Sequence, residues 1–482
     1  MNSCERKKNN DILTSILRYF LGKSTFFNTA TAFARQRDDS DNVLGGATMA
    51  PHPFTTIDPN IGYCLVPAPI GSCPEDDSEL SPSMRSKVGS THGRDHQGRR
   101  LLPVLLKDVA GLVPGAYQGR GRGNKFLNDL TDAHVLIHVL DSSGTADTEG
   151  NDMGTDAVAE ASNPLRDMAW IRAELIEWVF SNIMFKWESI RRRGRTRLAD
   201  MFGGYGQNQA VTSNVIFAVE KYMESHLERE RPFDHLDNWD EADVHRLVSA
   251  FLGVRFPMVL ALNKCDLPTS AGHIRDIQSS LPIHGAYYGT PLSARSEMNF
   301  MRSHIEEALG LKQKNSVSRN SEVGTIPEGV WSCLQYALTL QQPVLVFPVS
   351  DTSTYAPLGG MFKHATLDPS LPSLGMIQCL KTAGGEAPSL WNANGSSYMT
   401  TPPDSQDSVI LRDVLIMKPG STVDDVYNTL KKLGALGGDF VRAEATGQIG
   451  KPSRPIPKSQ KIDRSNCILK IMTSKKSSWQ KK

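Results

Sequence analysis

The sequence predicts an α/β chain. A mostly parallel sheet of the phosphate-loop type is split by a helical insertion and followed by a small C-terminal strand–helix module. Three observations predict it. Two apolar strands end in polar turns: one closes in Asp108-Val109-Ala110-Gly111, and Met258–Leu262 runs into Asn263-Lys264-Cys265-Asp266. Gly22-Lys23-Ser24-Thr25 precedes both in chain order. Between the two turns, apolar residues recur at helical spacing from Leu165 to Ile190.

Each element has a chemical reading. A strand-end aspartate such as Asp108 places a carboxylate beside a nucleotide's magnesium, and Gly111 lets a backbone N–H approach a γ-phosphate. Asp266 fits guanine, whose N1–H and exocyclic amine are both donors; adenine would leave the carboxylate unpaired. Asn263 and Lys264 complete that turn, and the Ser293–Ala294 backbone resembles the short loop that contacts the guanine oxygen. Gly22–Thr25 is the second half of the pattern Gly-x-x-x-x-Gly-Lys-[Ser/Thr]. Lys23 would reach the β- and γ-phosphates and Ser24 would ligate Mg2+. The first glycine is missing: position 17 is Leu17, and bulky residues fill 18–21 where backbone N–H groups must wrap an anion closely. Two readings stand side by side, a real but degraded loop or a replaced amino-terminal segment. Phe26–Ala30 reads as the start of the helix below the phosphates. Thr56, with Thr55 as fallback, is the threonine placed to reach Mg2+ and γ-phosphate.

Asp108–Ala116 and Gly119–Leu127 together resemble the Obg-family GTPases, and the YchF-like branch fits best. Pro53–Asn60 is similar to that family's first switch, and the C-terminus resembles its TGS module. The resemblance covers most of residues 22–310 and 408–475. It implies a Ras-like P-loop G domain, a C-terminal β-grasp (TGS) domain, GTP as substrate with Mg2+, and a ribosome- or RNA-linked task in translation. It also bears on rate. Leu112 stands where Ras-like enzymes carry a water-orienting glutamine, so hydrolysis is expected to be slow. Phe20 stands where some relatives hold potassium with an asparagine. Some YchF-like relatives prefer ATP, but Asn263, Lys264 and Asp266 favour GTP. The rivals are a nucleotide-binding-defective RNA or protein scaffold, and an ATPase.

The chain divides into an atypical segment (1–21), a first part of the G domain (22–162), a helical insertion (163–253) and a second part (254–310). A linker and loop-rich region (311–407), a TGS-like domain (408–475) and a basic tail (476–482) follow. In the insertion, Asn163 and Pro164 form a good helix start. A second helix is expected over Ser213 to Arg231, stopped by Pro232, and a third over Asp240 to Leu252, ended by Gly253. The arginine-rich stretch 191–208, with Phe202 and Tyr205, could grip RNA phosphates and stack on bases; the plainer reading is a solvated helix end. Residues 71–100 read as a flexible insertion. Val344–Val349 is a buried strand after a helix at about 327–340, and Leu374–Leu380 could be a short strand. In the module, Val409–Met417, Phe440–Glu444 and Ile468–Met472 read as strands, with Ser421 or Thr422 capping a helix.

Composition narrows the function classes. At 482 residues several domains are expected, and 39% hydrophobic content supports a sizeable core. A net charge of +1 gives no global attraction to nucleic acid. The seven cysteines show no metal spacing, which fits a reducing compartment and a cytoplasmic location. Ile12–Leu17 is interrupted by Arg18 and lacks a cleavage site, so it does not make a signal peptide. No apolar run approaches the ~18 residues of a membrane span. There is no Gly-x-Ser-x-Gly elbow, and the histidines lack the partners of a triad or zinc site; His138 reads as a core residue.

Overall fold

The computed structural model describes residues 13–17, 22–31, 60–76, 100–109, 129–131, 133–145, 163–206, 209–281, 286–300, 329–356, 358, 410–411, 413–432 and 435–475. Thr55, Thr56, Gly111, Leu112, Phe20, Gln207, Asn208 and Leu374–Leu380 lie outside them.

The first sheet contains β1 (Leu13–Leu17), β2 (Asn60–Pro67), β3 (Leu101–Asp108), β4 (Val135–Asp141), β5 (Met258–Asn263) and β6 (Ala286–Pro291). Their order is β2-β3-β1-β4-β5-β6. Only β2 runs antiparallel to its neighbour; the other pairings are parallel. This is the strand order of a Ras-like P-loop domain. The apolar run before Arg18, given no strand from sequence, is β1, a central strand whose Ile16 lies in register with Asp108.

β4 and β5 are buried along their whole length, as parallel strands covered on both faces must be. Alternation assigns the faces. Val135, Ile137, Val139, Val259 and Ala261 join one core with α1 (Lys23–Thr31) and a later helix. Leu136, Leu140, Met258, Leu260 and Leu262 join a second core with the insertion.

The insertion contains α2 (Pro164–Phe185), α3 (Trp187–Gly203), α4 (Gln209–His226) and α5 (Glu241–Arg255). Asn163 caps α2, its side chain accepting from the Leu165 N–H at 3.0 Å. The apolar face read as continuous to Ile190 breaks at Lys186, which leaves helical geometry (φ −110, ψ 10) and turns the chain into α3. Two expected ends shift. α4 stops at His226, ahead of the left-handed Glu228 and Arg231, so Pro232 is not what ends it. α5 runs through Gly253 to Arg255, because Gly253 is tolerated where packing continues the helix. Its start is a capping box between Asp240 and Asp243.

After α6 (Ser270–Ser280), α7 (Gly329–Leu340) packs into the first core through Trp331 and Leu334 and leads into the second sheet. That sheet comprises β7 (Val344–Pro348), β8 (Leu415–Met417), β9 (Gly437–Thr446), β10 (Arg454–Ile456) and β11 (Ile468–Lys475), in the order β10-β9-β11-β7-β8. β11 and β7 are parallel, and α8 (Val423–Lys432) lies between β8 and β9 in sequence. This is β-grasp topology. The boundary at 408 therefore moves: β7, placed in the 311–407 linker, is a central strand of the module. The strand expected from Val409 is confined to Leu415–Met417. Thr422 caps α8, its Oγ1 accepting from the Asp425 N–H at 3.3 Å, while its own N–H donates to Asp425 Oδ2 at 2.8 Å. The two sheets are joined through buried Arg100, which donates to Glu75 Oε1 and to the Leu411 carbonyl, each at 2.7 Å. Among the described residues, no helix is long and apolar enough to cross a membrane.

Candidate nucleotide site

The sheet order brings the predicted residues to one end. β1 and β3 are neighbours, so the end of β1 and Asp108 emerge side by side. Gly22 has φ +95, a conformation open to glycine, and its carbonyl accepts from the Phe26 N–H at 2.7 Å to start α1. Lys23 thereby points across the strand ends. Its ammonium donates to the Val109 carbonyl and lies 3.4 Å from Asp108 Oδ1. Ser24 Oγ donates to Asp108 Oδ2 at 3.1 Å. Asn60, at the start of β2, approaches the same oxygen at 3.4 Å. Burial pushes the Asp108 carboxyl up and the Lys23 ammonium down from their ordinary values; each ion pulls the other partly back.

These donors fit the ion the sequence implies. Asp108 Oδ1 is buried and accepts no hydrogen bond, and a hydroxyl beside a carboxylate is the hard-oxygen set that suits Mg2+. No group of three or more His, Cys, Asp or Glu side chains among the described residues forms a separate metal cluster. Thr25 lies in the first turn of α1, where its carbonyl accepts from Thr29 Oγ1 at 2.8 Å.

The turn expected to read the base follows β5. Asn263 Oδ1 accepts from the Ala294 N–H at 3.0 Å. Its carboxamide also adjoins Gly22, where an added Cβ would come within 2.5 Å of Asn263 Nδ2. Asn263 thus ties the phosphate half to the base half. Lys264 is left-handed (φ 62) and donates to Asp141 Oδ2 at 2.9 Å and to Thr145 Oγ1 at 3.2 Å. Asp266 is exposed. The Ala294 N–H, read from sequence as a contact for the base oxygen, is here engaged by Asn263; Ser293 Oγ donates to Ser296 Oγ at 3.0 Å. Behind the loop, Glu297 Oε2 accepts from the Val330 N–H of α7 at 2.9 Å, and burial pushes its carboxyl up to about 7.

Sequence reasoning missed several members of this site. Asn60 closes the Pro53–Asn60 stretch singled out in the sequence, but no contact with Asp108 was read for it, because one amide at a strand start is ordinary. Asp141 did: it ends an apolar strand as Asp108 and Asn263 do. The Arg191–Arg197 run, expected between helices, spans a break in α3: Gly194 (φ 62, ψ −150) leaves helical geometry and divides the element into two helical pieces. Arg191 pairs with Asp237 at 2.6 Å and Arg195 pairs with Glu220, while Arg192 and Arg193 are exposed.

Comparison with known proteins agrees with this geometry. A family model described as "50S ribosome-binding GTPase" matches residues 20–165. A protein of Schizosaccharomyces pombe described as an uncharacterized GTP-binding protein is 31% identical over 409 residues, covering 78% of this chain and 90% of its own. The Bacillus subtilis ribosome-binding ATPase YchF is 30% identical over 160 residues, covering 32% of this chain and 33% of its own. The crystal structure of a GTP-binding protein from Pyrococcus horikoshii superposes with a TM-score of 0.53 over 96% of this chain and 99% of that one, at 18% identity, which supports the fold. Fold and site together define a P-loop GTP-binding protein. The chain belongs to one family with the S. pombe GTP-binding protein, and its shorter match to B. subtilis YchF is a likeness to the YchF-like branch of the Obg family.

Proposed function

We propose that this chain hydrolyses GTP slowly as a magnesium-dependent switch and acts in the cytoplasm on a ribosome- or RNA-linked task in translation. The single observation that carries the reading is Asn263: one carboxamide touches both Gly22 and Ala294, so the phosphate and base halves form one slot.

In this mechanism Lys23 leaves Asp108 for the β- and γ-phosphates. Ser24, Thr56 and Asp108 would hold Mg2+. When bound, the ion supplies charge neutralisation at the phosphate oxygens. The Gly111 N–H reports the γ-phosphate, and Asp266 reads guanine over adenine, with Asn263 and Lys264 framing the base and the Ser293–Ala294 backbone at its oxygen. Leu112 offers the attacking water no hydrogen bond, which keeps the rate low.

Fluorescent GTP titrated against ATP with Mg2+ tests this. The expected preference for GTP is on the order of a thousandfold, lost in Asp266→Ala. Equal affinity for both nucleotides supports the ATPase reading, which the name of the B. subtilis relative favours. Binding of neither supports the scaffold.

The β-grasp module is read as a TGS domain. The ribosome enters through the names of the family model and the relative. On this chain the exposed Arg192 and Arg193 are the candidate phosphate contacts. Co-sedimentation with ribosomal subunits should weaken several-fold in an Arg192→Glu/Arg193→Glu variant; an unchanged pellet sinks the assignment of α3 as the contact.

A further inference from the structure

We propose that Asp141 is a positioning residue for base recognition: it holds the ammonium of Lys264 so that the lysine's carbon stem, rather than its charge, forms one wall of the purine slot. This rests on the guanine reading of the site.

Asp141 is fully buried at the end of β4, in register with Asn263 of β5. Its two oxygens are divided. Oδ1 accepts from the Ser143 N–H at 3.0 Å and from Ser143 Oγ at 2.5 Å. Oδ2 accepts from Lys264 Nζ at 2.9 Å, with Thr145 Oγ1 at 3.5 Å. Thr145 Oγ1 also takes a bond from Lys264 Nζ at 3.2 Å, so both lysine partners come from this one turn. The turn is braced in its own right. Ser142 donates twice to the Asn263 carbonyl, from N at 3.0 Å and from Oγ at 2.6 Å. Thr269 Oγ1 donates to the Ser143 carbonyl at 2.8 Å.

The consequence is directional. A lysine without this anchor would swing its ammonium toward the nearest solvent or phosphate anion, as a flexible, strongly hydrated cation does. Here the charge is neutralised against a buried carboxylate on the side of β4. The side chain starts two residues before Asp266 and is a quarter exposed. What it offers the open side of the turn is methylene, which an aromatic base covers well. Lys264 then contributes to every purine, and Asp266 alone supplies the choice of guanine.

Asp141→Asn keeps the Oδ1 acceptor for Ser143 and removes the charge. In the full chain with Mg2+, it should raise the Kd for GTP and for ITP by the same factor, about tenfold. Competition by inorganic triphosphate should stay within about twofold, since that probe has no base. In a Lys264→Met background, Asp141→Asn should add less than about twofold, because the two side chains act as a unit. Thr145→Val, which leaves the buried charge pair intact, should weaken both nucleoside triphosphates about threefold and keeps the test open if Asp141→Asn fails to fold. A loss shared by inorganic triphosphate, or full additivity with Lys264→Met, overturns the proposal while leaving the guanine reading in place. A wild-type chain that binds ATP as tightly as GTP overturns that reading first, and this proposal with it.

Discussion

The two halves of the nucleotide slot are stabilised in different ways. On the base side, Asn263 and Lys264 have protein partners of their own: Ala294 for the carboxamide, Asp141 and Thr145 for the ammonium. The geometry there is set before a ligand arrives. On the phosphate side, Lys23 and Asp108 hold each other, and burial opposes the charge on both. On the proposed reading, their contact is the one the phosphates and the ion would replace. The difference teaches that this fold fixes the side chains proposed to read the base and keeps exchangeable charge where the phosphates are proposed to bind.

The largest effect should come from breaking the phosphate side. Lys23→Ala is expected to weaken GTP about a hundredfold or more, near 3 kcal/mol, because a charge-assisted contact to phosphate disappears. Calorimetric titration measures it; an effect below tenfold would place the phosphates elsewhere.

The next variant tests whether the halves are joined. Gly22→Ala forces a Cβ to within 2.5 Å of Asn263 Nδ2 at a backbone φ of +95. It should lower unfolding stability by about 2 kcal/mol in a denaturant titration. It should also erode preference for GTP over ATP, a base-side property, although Gly22 belongs to the phosphate side. A stability loss with selectivity intact would show the halves to be independent.

The smallest effect sharpens the view of the base side as preset. Glu297 lies behind the Ser293–Ala294 loop, with its carboxyl raised from 4.5 to about 7. Between those values the folded chain keeps a proton that the unfolded chain has released. Stability therefore falls as pH rises through that window. Glu297→Gln cannot ionise, so its stability should lose this dependence. Relative to wild type, the variant should gain about 1–2 kcal/mol between pH 5 and pH 8, read from paired melting curves. Parallel pH profiles would remove Glu297 as the titrating group.

Much of the site was legible in the sequence because its chemistry is local. Strand-end turns such as Asn263–Asp266 need particular residue types at fixed spacing, whatever surrounds them. The insertion was legible for the same reason, through Asn163 and the apolar spacing of α2. Its internal ends were not: the pattern runs unbroken past Lys186 and reads Gly253 as a stop, and only packing turns the chain at the first and carries a helix through the second. β7 was visible as a strand, but its membership in the β-grasp sheet depends on a parallel partner, β11, that lies far along the chain.

By itself the sequence determined which groups are candidates for a purine nucleotide and in what order they occur, since donor and acceptor chemistry belongs to the residue. The tertiary structure decided what those groups do while they wait. It set Lys23 against Asp108 and Lys264 against Asp141, and it used Asn263 as the bridge between the halves. Such pairings depend on which strands are neighbours, and strand order is fixed by long-range packing that no local pattern encodes.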